Sequence, residues 1–319
     1  MRTTWIVITT AAAAAVAAIA STGPALAATP PLSGARTAVH FDLASGQTPE
    51  NFVVEPNGSV TVTFVGSRQV AHVALDGRTD VLATLPLPPD GGKHTPVTGA
   101  ATPTGIVRTH DGTVYVAYAA GDSSLTGVWR LRHGGPLQRV APLPADSFPN
   151  GLALDAHGDH LYIADSNLAT VWRVPTSGGT PTSWARGSSL ARTSFAGSNG
   201  LKVHNGAVWT TNTDAGTLVR IPIGRGGSAG QPQLRATGLT NVDDFAFTGR
   251  GDQVLAALFG PNQVVLVNGD GLHRTVLDAR DGLENPTALA VRNRTVYVDG
   301  SARATQVDPN LVLARLDRR

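Results

Sequence analysis

Cysteine is absent from this sequence of 319 residues. Without thiols the chain can form no disulfide, no thiolate metal site and no cysteine nucleophile, so any catalysis must use oxygen or nitrogen groups. An excess of one charge is also lacking, because 25 basic and 23 acidic side chains are spread along the chain and leave a formal charge of +2. No basic stripe of the kind that binds nucleic acid is visible, and we expect no nucleic-acid partner.

Long apolar runs are absent after the first 27 residues. Before that point, an apolar stretch over 5–20 follows a basic residue and precedes a small-residue cleavage pattern that ends at Ala27. This arrangement predicts a signal peptide over 1–27 and a secreted protein. A retained membrane anchor is disfavoured, because about 16 apolar residues are fewer than the roughly 20 that span a bilayer. We therefore expect no membrane association after cleavage, a flexible segment over 28–36 and a folded domain over 37–319.

Turn-forming residues, in contrast, are abundant. The chain has 36 glycines and 21 prolines without a collagen-like period, which is typical of many tight turns and few long helices. With 41% hydrophobic and 15% charged residues, it is too apolar for wholesale disorder. This composition excludes a helix bundle and indicates a folded chain rich in turns.

One sequence pattern returns six times, at spacings of about 44 to 54 residues. Each copy has a short apolar run, a turn rich in glycine, asparagine or aspartate, and a second β-branched or aromatic run, which indicates a β-hairpin. Most copies continue with a third alternating run and a weaker fourth. The copies begin at Pro49, Pro103, Pro149, Ser198, Val242 and Pro286. Six units of four antiparallel strands predict an all-β fold, a six-bladed β-propeller.

The two ends of the repeat region indicate a closed ring. The last unit stops after its third strand, over 311–317, whereas a spare strand over 37–43 precedes the first hairpin. We expect this N-terminal strand to complete the C-terminal blade and cover its edge. A linear solenoid would need atypical capping repeats, and none is visible. A β-sandwich with coincidental turn spacing is the other alternative.

One residue of each unit lies just before its inner strand, and these six positions are equivalent. Because the first strand of every propeller blade lines the central channel, we expect the six residues to converge near the axis on one face. They are Glu50, Thr104, Asn150, Asn199, Asp243 and Thr287. Four of them carry the carboxylate and amide oxygens that calcium prefers as ligands. Glu50, Asn150, Asn199 and Asp243 therefore predict a site for Ca²⁺ or another divalent cation.

These four residues also have a structural explanation. Asn-Gly at 150–151 and at 199–200 is a common turn dipeptide, and Glu50 or Asp243 could cap a loop in water. However, the hairpin turn of each unit falls several residues later in the sequence. Without a cation, two buried carboxylates would repel each other and lose solvation. We therefore favour the metal site.

The third repeat, PNGLALDAHGDHLYIADS over 149–166, together with Pro49-Glu50 and the later acidic position, resembles the senescence marker protein/gluconolactonase family. The set Glu50, Asn150, Asn199 and Asp243 is also similar to the calcium site of diisopropyl fluorophosphatases and paraoxonases. The resemblance implies a six-bladed propeller with axial calcium that acts on lactones, esters or organophosphates. The segments ENFVVEPNG, SNGLKV and VDDFAF resemble secreted fungal propellers that include hetero-Diels–Alderases. Two features of paraoxonases, a histidine pair and a disulfide, have no match in this chain.

The resemblance also implies roles for residues near the cation. Calcium would act as a Lewis acid, with Asp243 the ligand closest to the chemistry and Asp244 a neighbouring base or a support. An ordinary loop aspartate is the alternative for Asp244. Two long loops, over 87–102 and 185–197, are expected to define the substrate. His94 in the first loop is a further catalytic candidate, with a solvated loop histidine as the alternative.

The predicted function is therefore a secreted, monomeric, calcium-dependent hydrolase that acts on a small-molecule lactone or ester. Two alternatives use the same ring without hydrolysis. One is a propeller that binds or cyclises a natural-product substrate, and the other is a scaffold that binds a ligand or a protein. Asp165 and Asn212, at the ends of two second strands, are expected to lie behind the cation site because strand pairing returns them to the same face.

Overall fold

The computed structural model describes Met1 and residues 31–317, so the predicted signal peptide, apart from Met1, and residues 28–30 lie outside the described part of the chain. The first blade consists of β2 Pro49–Val54, β3 Val60–Phe64, β4 Gln69–Val73 and β5 Thr79–Thr84. The second consists of β6 Thr102–Arg108, β7 Val114–Ala119, β8 Gly127–Leu131 and β9 Gln138–Pro142. The third consists of β10 Pro149–Leu154, β11 His160–Asp165, β12 Thr170–Pro175 and β13 Thr182–Arg186.

The fourth blade consists of β14 Ser198–His204, β15 Ala207–Asn212, β16 Thr217–Pro222 and β17 Gln233–Ala236. The fifth consists of β18 Val242–Phe247, β19 Val254–Leu258, β20 Gln263–Val267 and β21 His273–Leu277. The sixth blade contains β22 Pro286–Arg292, β23 Thr295–Gly300, β24 Asn310–Leu316 and the first strand, β1 Leu32–His40. Within residues 31–317, four short 3₁₀ helices connect strands at Leu43–Ser45, Ser188–Leu190, Arg225–Gly227 and Ala279–Asp281.

The six four-stranded sheets form a closed ring. In five of the sheets neighbouring strands pair antiparallel in chain order, as consecutive hairpins require, whereas in the sixth sheet β1 pairs antiparallel with β24. The first strand of every blade contacts the first strand of the next, and β22 in turn contacts β2. The predicted all-β, six-bladed β-propeller is therefore confirmed. In the described residues, no helix is long and apolar enough to cross a membrane.

The strand β1 forms the outer edge of the sixth blade by pairing antiparallel with β24, from Leu32 opposite Leu316 to His40 opposite Asn310. This strand begins at Leu32 and not at Thr37, so part of the segment expected to be flexible belongs to the propeller. The reason is burial, because Leu32 is 5% exposed and packs in the same core cluster as Leu316. The expected strand end at 43 is also wrong, since Asp42 caps the 3₁₀ helix that begins at Leu43.

The core lies between neighbouring sheets, where apolar side chains of adjacent blades pack face to face. Trp209 of β15 and Phe245 of β18 belong to one such cluster, and both are fully buried. Hydroxyl groups connect the blades nearer the channel. Thr104 Oγ1 donates to Pro149 O at 2.7 Å, and Ser166 Oγ donates to Ser198 O at the same distance. These bonds fix the beginnings of adjacent inner strands relative to one another.

Candidate functional site

One small cavity, of about 70 Å³, is lined by all four residues predicted to bind the cation. Glu50, Asn150, Asn199 and Asp243 come from β2, β10, β14 and β18, the inner strands of four blades. We call this space the axial cavity; its remaining lining residues are Val97, Thr98, Thr102, Phe148, Phe195, Ala196, Phe259 and Arg303. The structure thus brings together side chains that are nearly 200 positions apart, as the repeat alignment predicts.

The other two equivalent positions are used for a different purpose. Thr104 is completely buried and donates its hydroxyl to a carbonyl oxygen of the next blade. Thr287 is 1% exposed and donates to Asp299 Oδ1 at 3.1 Å. At the two equivalent positions without a carboxylate or amide, a threonine hydroxyl therefore donates a structural hydrogen bond.

A backbone irregularity re-aims the side chains at this end of the channel. The pairing of each inner strand with its neighbour shifts register at its beginning, as between Pro149 and Leu152 or between Val242 and Phe245. The shift also occurs in β2, β6, β14 and β22. Because a bulge bends a strand and redirects its side chains, six bulges in a ring turn the equivalent residues toward one place.

The glycines after the two asparagines allow adjacent blades to approach. A Cβ atom on Gly151 would lie 2.2 Å from Asn199 O, and one on Gly200 would lie 2.4 Å from Asp244 Oδ1. Both Asn-Gly pairs lie within strands β10 and β14 and not in turns. The turn explanation of these dipeptides is therefore wrong: glycine provides space between inner strands, and asparagine faces the axial cavity.

Hydrogen bonds orient the two amides. Asn199 Nδ2 donates to Thr213 Oγ1 at 2.9 Å, and this hydroxyl in turn donates to Val242 O. Likewise Asn150 Nδ2 donates to Ser166 Oγ at 3.2 Å, while that hydroxyl donates to Ser198 O. Since each hydroxyl proton is committed to a carbonyl, the hydroxyl can only accept from the amide. The amide oxygen is then the atom of each asparagine left to accept a cation, while the Asn199 amide also hydrogen-bonds to the Asp243 carboxylate.

Glu50 forms an ion pair with Arg303, which the sequence analysis missed. The Glu50 side chain is 7% exposed, and its Oε2 contacts Nη2 of Arg303. Burial lowers the pKa of Arg303 to about 10, so the guanidinium remains charged at neutral pH. Arg303 follows the last hairpin, between β23 and β24, and has no equivalent in the other repeats. Because β23 runs antiparallel to β22, it ends near the beginning of that inner strand, and Arg303 follows this end. This pairing was the one signal in the sequence for the position of Arg303.

Asp243 is the second carboxylate in the axial cavity. Burial raises the pKa of Asp243 well above its usual range, and the carboxylates of Asp244 and Asp299 raise it further, while Asn199 and Lys202 oppose this change. The described part of the chain gives Asp243 no ion-pair partner. A cation bound here would stabilise the ionised form of Asp243.

Asp244 does not line the axial cavity, in contrast to its expected role beside the cation. Both of its carboxylate oxygens lie 2.7 Å from Lys202 Nζ, and its side chain is 3% exposed. It borders a separate cavity of about 510 Å³, formed by the later residues of all six inner strands. The bulge in β18 separates the directions of Asp243 and Asp244. Asp244 is therefore a buried ion-pair partner of Lys202, and its assignment as a base of the axial cavity is withdrawn.

His94 is not brought to the axial cavity either. Its side chain is 83% exposed, and its closest acidic partner is Asp90, 3.8 Å away. His94 is therefore a solvated loop histidine, the alternative given for it above. The loop itself does reach the cavity, through Val97 and Thr98.

The second long loop reaches the cavity through Phe195 and Ala196. Asp214 holds this loop, because its carboxylate accepts hydrogen bonds from the backbone N–H groups of 193–196 at 2.7–3.2 Å. Asn212 donates to Ser189 O and Ala191 O at the start of the same loop. Asp165 accepts from Phe148 N at 3.1 Å and thus positions another lining residue. Both predicted supporting residues organise loops around the cavity.

The donor set suits a hard divalent cation only when the amides are included. Among the described residues, no three His, Asp or Glu side chains group in a way that could hold a metal ion. The axial cavity supplies two carboxylates and two oriented amide oxygens, and all four are oxygen donors of the kind that calcium accepts, with water completing six to eight positions. The chemistry of these residues therefore fits calcium, and among the described residues that line the cavity Arg303 is the cationic side chain.

The fold and the site together define a six-bladed propeller whose inner strands bring oxygen-bearing side chains from four blades to one small cavity. Solved structures with this architecture include a gluconolactonase from Xanthomonas campestris, with a TM-score of 0.63, 14% sequence identity, and coverage of 91% of this chain and 99% of that chain. The calcium-binding protein regucalcin from Agrobacterium tumefaciens has a TM-score of 0.62 and 16% identity, with coverage of 84% and 90%.

A virginiamycin B lyase from Staphylococcus aureus is also similar, with a TM-score of 0.59, 14% identity, and coverage of 89% of this chain and 99% of that chain. No protein-family model and no curated protein sequence matches the chain. At these identities the likenesses establish the fold. They agree with the predicted resemblance to gluconolactonase-like propellers, while the resemblance to hetero-Diels–Alderases stays a prediction.

Proposed function

We propose that the axial cavity is the active site of a secreted, metal-dependent hydrolase that acts on a small-molecule lactone or ester. One observation carries this proposal: two carboxylates and two oriented amide oxygens converge from four blades on one cavity. The similarity of the fold to a gluconolactonase and to a calcium-binding regucalcin supports the same class of chemistry. Secretion rests on the signal-peptide pattern over 1–27, and we propose that the protein acts as a monomer.

In this mechanism Glu50, Asn150, Asn199 and Asp243 hold a divalent cation, with calcium the expected ion. When bound, the cation supplies Lewis-acid polarisation of a carbonyl oxygen. Thr213 and Ser166 keep the amide oxygens of Asn199 and Asn150 directed at the cavity.

The apolar rings of Phe148, Phe195 and Phe259 line the same cavity. They exclude bulk water and pack against the apolar part of the substrate. Asp243, whose carboxylate has no ion-pair partner among the described residues, is the acidic group proposed to accept a proton from the attacking water.

Calorimetry with calcium tests the proposal directly. Asp243→Asn and Glu50→Gln keep the shape of each side chain but remove its charge, so each is expected to weaken calcium binding at least tenfold. Asp270→Asn is the matched control, because Asp270 accepts a hydrogen bond from Leu272 N in a surface turn. Hydrolysis of a panel of lactones and aryl esters, with and without chelator, then tests the activity. Equal calcium affinity in all three variants would contradict the metal assignment.

A non-hydrolytic function is the second candidate, and the lyase among the similar structures favours it. That lyase is described as catalytically inactive when one histidine is replaced by alanine. In the described part of the chain, the residues lining the axial cavity include no histidine. We therefore rank hydrolysis above a histidine-dependent lyase reaction. Ligand binding without turnover in the same substrate panel would favour the non-hydrolytic class.

A further inference from the structure

Arg303 places a positive charge inside the donor set of the axial cavity. It contacts Glu50 Oε2, and its guanidinium lies 5.9 Å from the ring centre of Phe259. Its side chain is 29% exposed, whereas that of Glu50 is 7% exposed. Arg303 therefore reaches a buried carboxylate from the solvent side of the cavity.

This contact conflicts with a metal ion at the same carboxylate. Calcium lies 2.3–2.6 Å from its oxygen ligands. A guanidinium on Glu50 Oε2 would then stand directly beside the ion, and the two positive charges would repel each other strongly in a poorly solvated cavity. The cavity has a volume of only about 70 Å³, which leaves little room for water to screen them.

The arginine side chain can leave without a rearrangement of its loop. The loop backbone is fixed independently, because Ala304 N and Thr305 N both donate to Asn285 Oδ1 at 3.0 Å. Ala302 N donates to Glu284 O at 2.7 Å. Arg303 Nε, in contrast, has no hydrogen-bond partner among the described residues. Rotation of this one partly exposed side chain toward solvent would free Glu50.

We infer that Arg303 is an internal counter-cation of the axial cavity and controls its affinity for the divalent cation. It balances the charge of Glu50 when no metal is bound, and the metal must displace it. The affinity of the site is therefore lower than its four oxygen donors alone would give. This inference rests on the proposed function, because it requires that the four donors bind a metal.

Calcium titration by calorimetry, combined with thermal unfolding in chelator and in calcium, tests this role. Arg303→Met keeps the apolar stem beside Phe259 and removes the charge. We expect it to lower the Kd for calcium at least tenfold. In chelator its Tm should be lower than that of the wild type, because Glu50 loses its partner, and in saturating calcium this difference should disappear or reverse. Arg303→Gln, which retains hydrogen bonding, is expected to tighten calcium binding as well and serves if the methionine variant does not fold.

Arg186→Met is the matched control. Arg186 also lies over an aromatic ring, with its guanidinium 5.6 Å from the ring centre of Trp172, but it donates to Ser183 and not to a carboxylate. Its calcium affinity should equal that of the wild type. If the Arg303 variants bind calcium no more tightly than the wild type, the inference is overturned while the metal site stands. If neither the wild type nor the Arg303 variants bind calcium, the metal site fails and the inference fails with it.

Discussion

Asp299 is a buried carboxylate in the sixth blade whose ionisation opposes folding. It is 1% exposed, and its Oδ1 accepts hydrogen bonds from Thr287 Oγ1 and Ala288 N, while Oδ2 has no partner among the described residues. Burial raises the pKa of Asp299 to about 7. The folded state therefore holds a proton on Asp299 at pH values where the unfolded chain has released it.

This pKa change predicts a pH dependence of stability. The favourable contribution is complete below about pH 4, the pKa in the unfolded chain, and is lost as the pH rises through about 7. Each pKa unit corresponds to about 1.4 kcal/mol, so the loss is a few kcal/mol. Asp299→Asn keeps an acceptor for both donors and cannot ionise. In chelator, its unfolding free energy should fall less between pH 4.5 and 8 than that of the wild type or of Asp76→Asn, a variant in an exposed turn. Parallel pH profiles would refute this assignment.

At the residue scale, the sequence allowed the four oxygen donors to be predicted, because the repeats place them by counting. Asp244 and His94 could not be placed in the same way. Asp244 was expected beside the cation, but the bulge in β18 determines the directions in which its consecutive side chains point. No residue type in the sequence predicts the position of that bulge. Arg303 was missed because it lies in a loop without a repeat equivalent. Its role depends on a contact with Glu50, more than 250 positions away in the chain.

At the scale of the strand, the close approach of inner strands depends on glycine. A methyl group on Gly151 would lie 2.2 Å from Asn199 O and 2.5 Å from Leu201 N, both backbone atoms that cannot rotate away. Gly151→Ala must therefore push β10 and β14 apart. Overpacking of this kind typically costs about 1–3 kcal/mol, and in a domain of this size each kcal/mol lowers Tm by about 2–4 °C.

Thermal unfolding measures this cost, with Gly269→Ala as the control. A Cβ atom on Gly269 would have no heavy atom within 4 Å, so its substitution should leave Tm nearly unchanged. Gly151→Ala should also weaken calcium binding, because the strand it displaces carries Asn150. Identical melting curves for both alanine variants would show that the strands can separate freely. The sequence revealed the Asn-Gly pairs, but the need for glycine became clear only from the spacing between blades.

At the scale of the molecule, the ring is closed by β1, the first strand in the described part of the chain. Removal of the chain before Thr48 would delete β1 and expose the edge of β24, whose residues Leu311 and Val312 are buried. An exposed apolar edge strand promotes association with other chains. We expect this truncated protein to aggregate and to lose its cooperative thermal transition. A chain that begins at Pro31 keeps β1 and should melt as the full-length protein does, whereas a normal Tm without β1 would contradict closure by this strand.

The number of blades and the antiparallel order were predictable because local periodicity determines both. The beginning of β1 was not, since its first residues alternate weakly and their burial depends on β24 at the other end of the sequence. Contacts between distant segments therefore set the limit of what the sequence predicts here.

Pairing of β1 with β24 also has a consequence for how the molecule forms. The first strand has no partner until the last has been synthesised, so five blades can assemble while the sixth waits for its final strand. Contacts between such distant segments slow folding, because the chain must pay the entropy of joining its ends. Until β1 and β24 pair, the open edge of the sixth blade is accessible to proteases and to other chains. We therefore expect molecular chaperones to matter most for this last step.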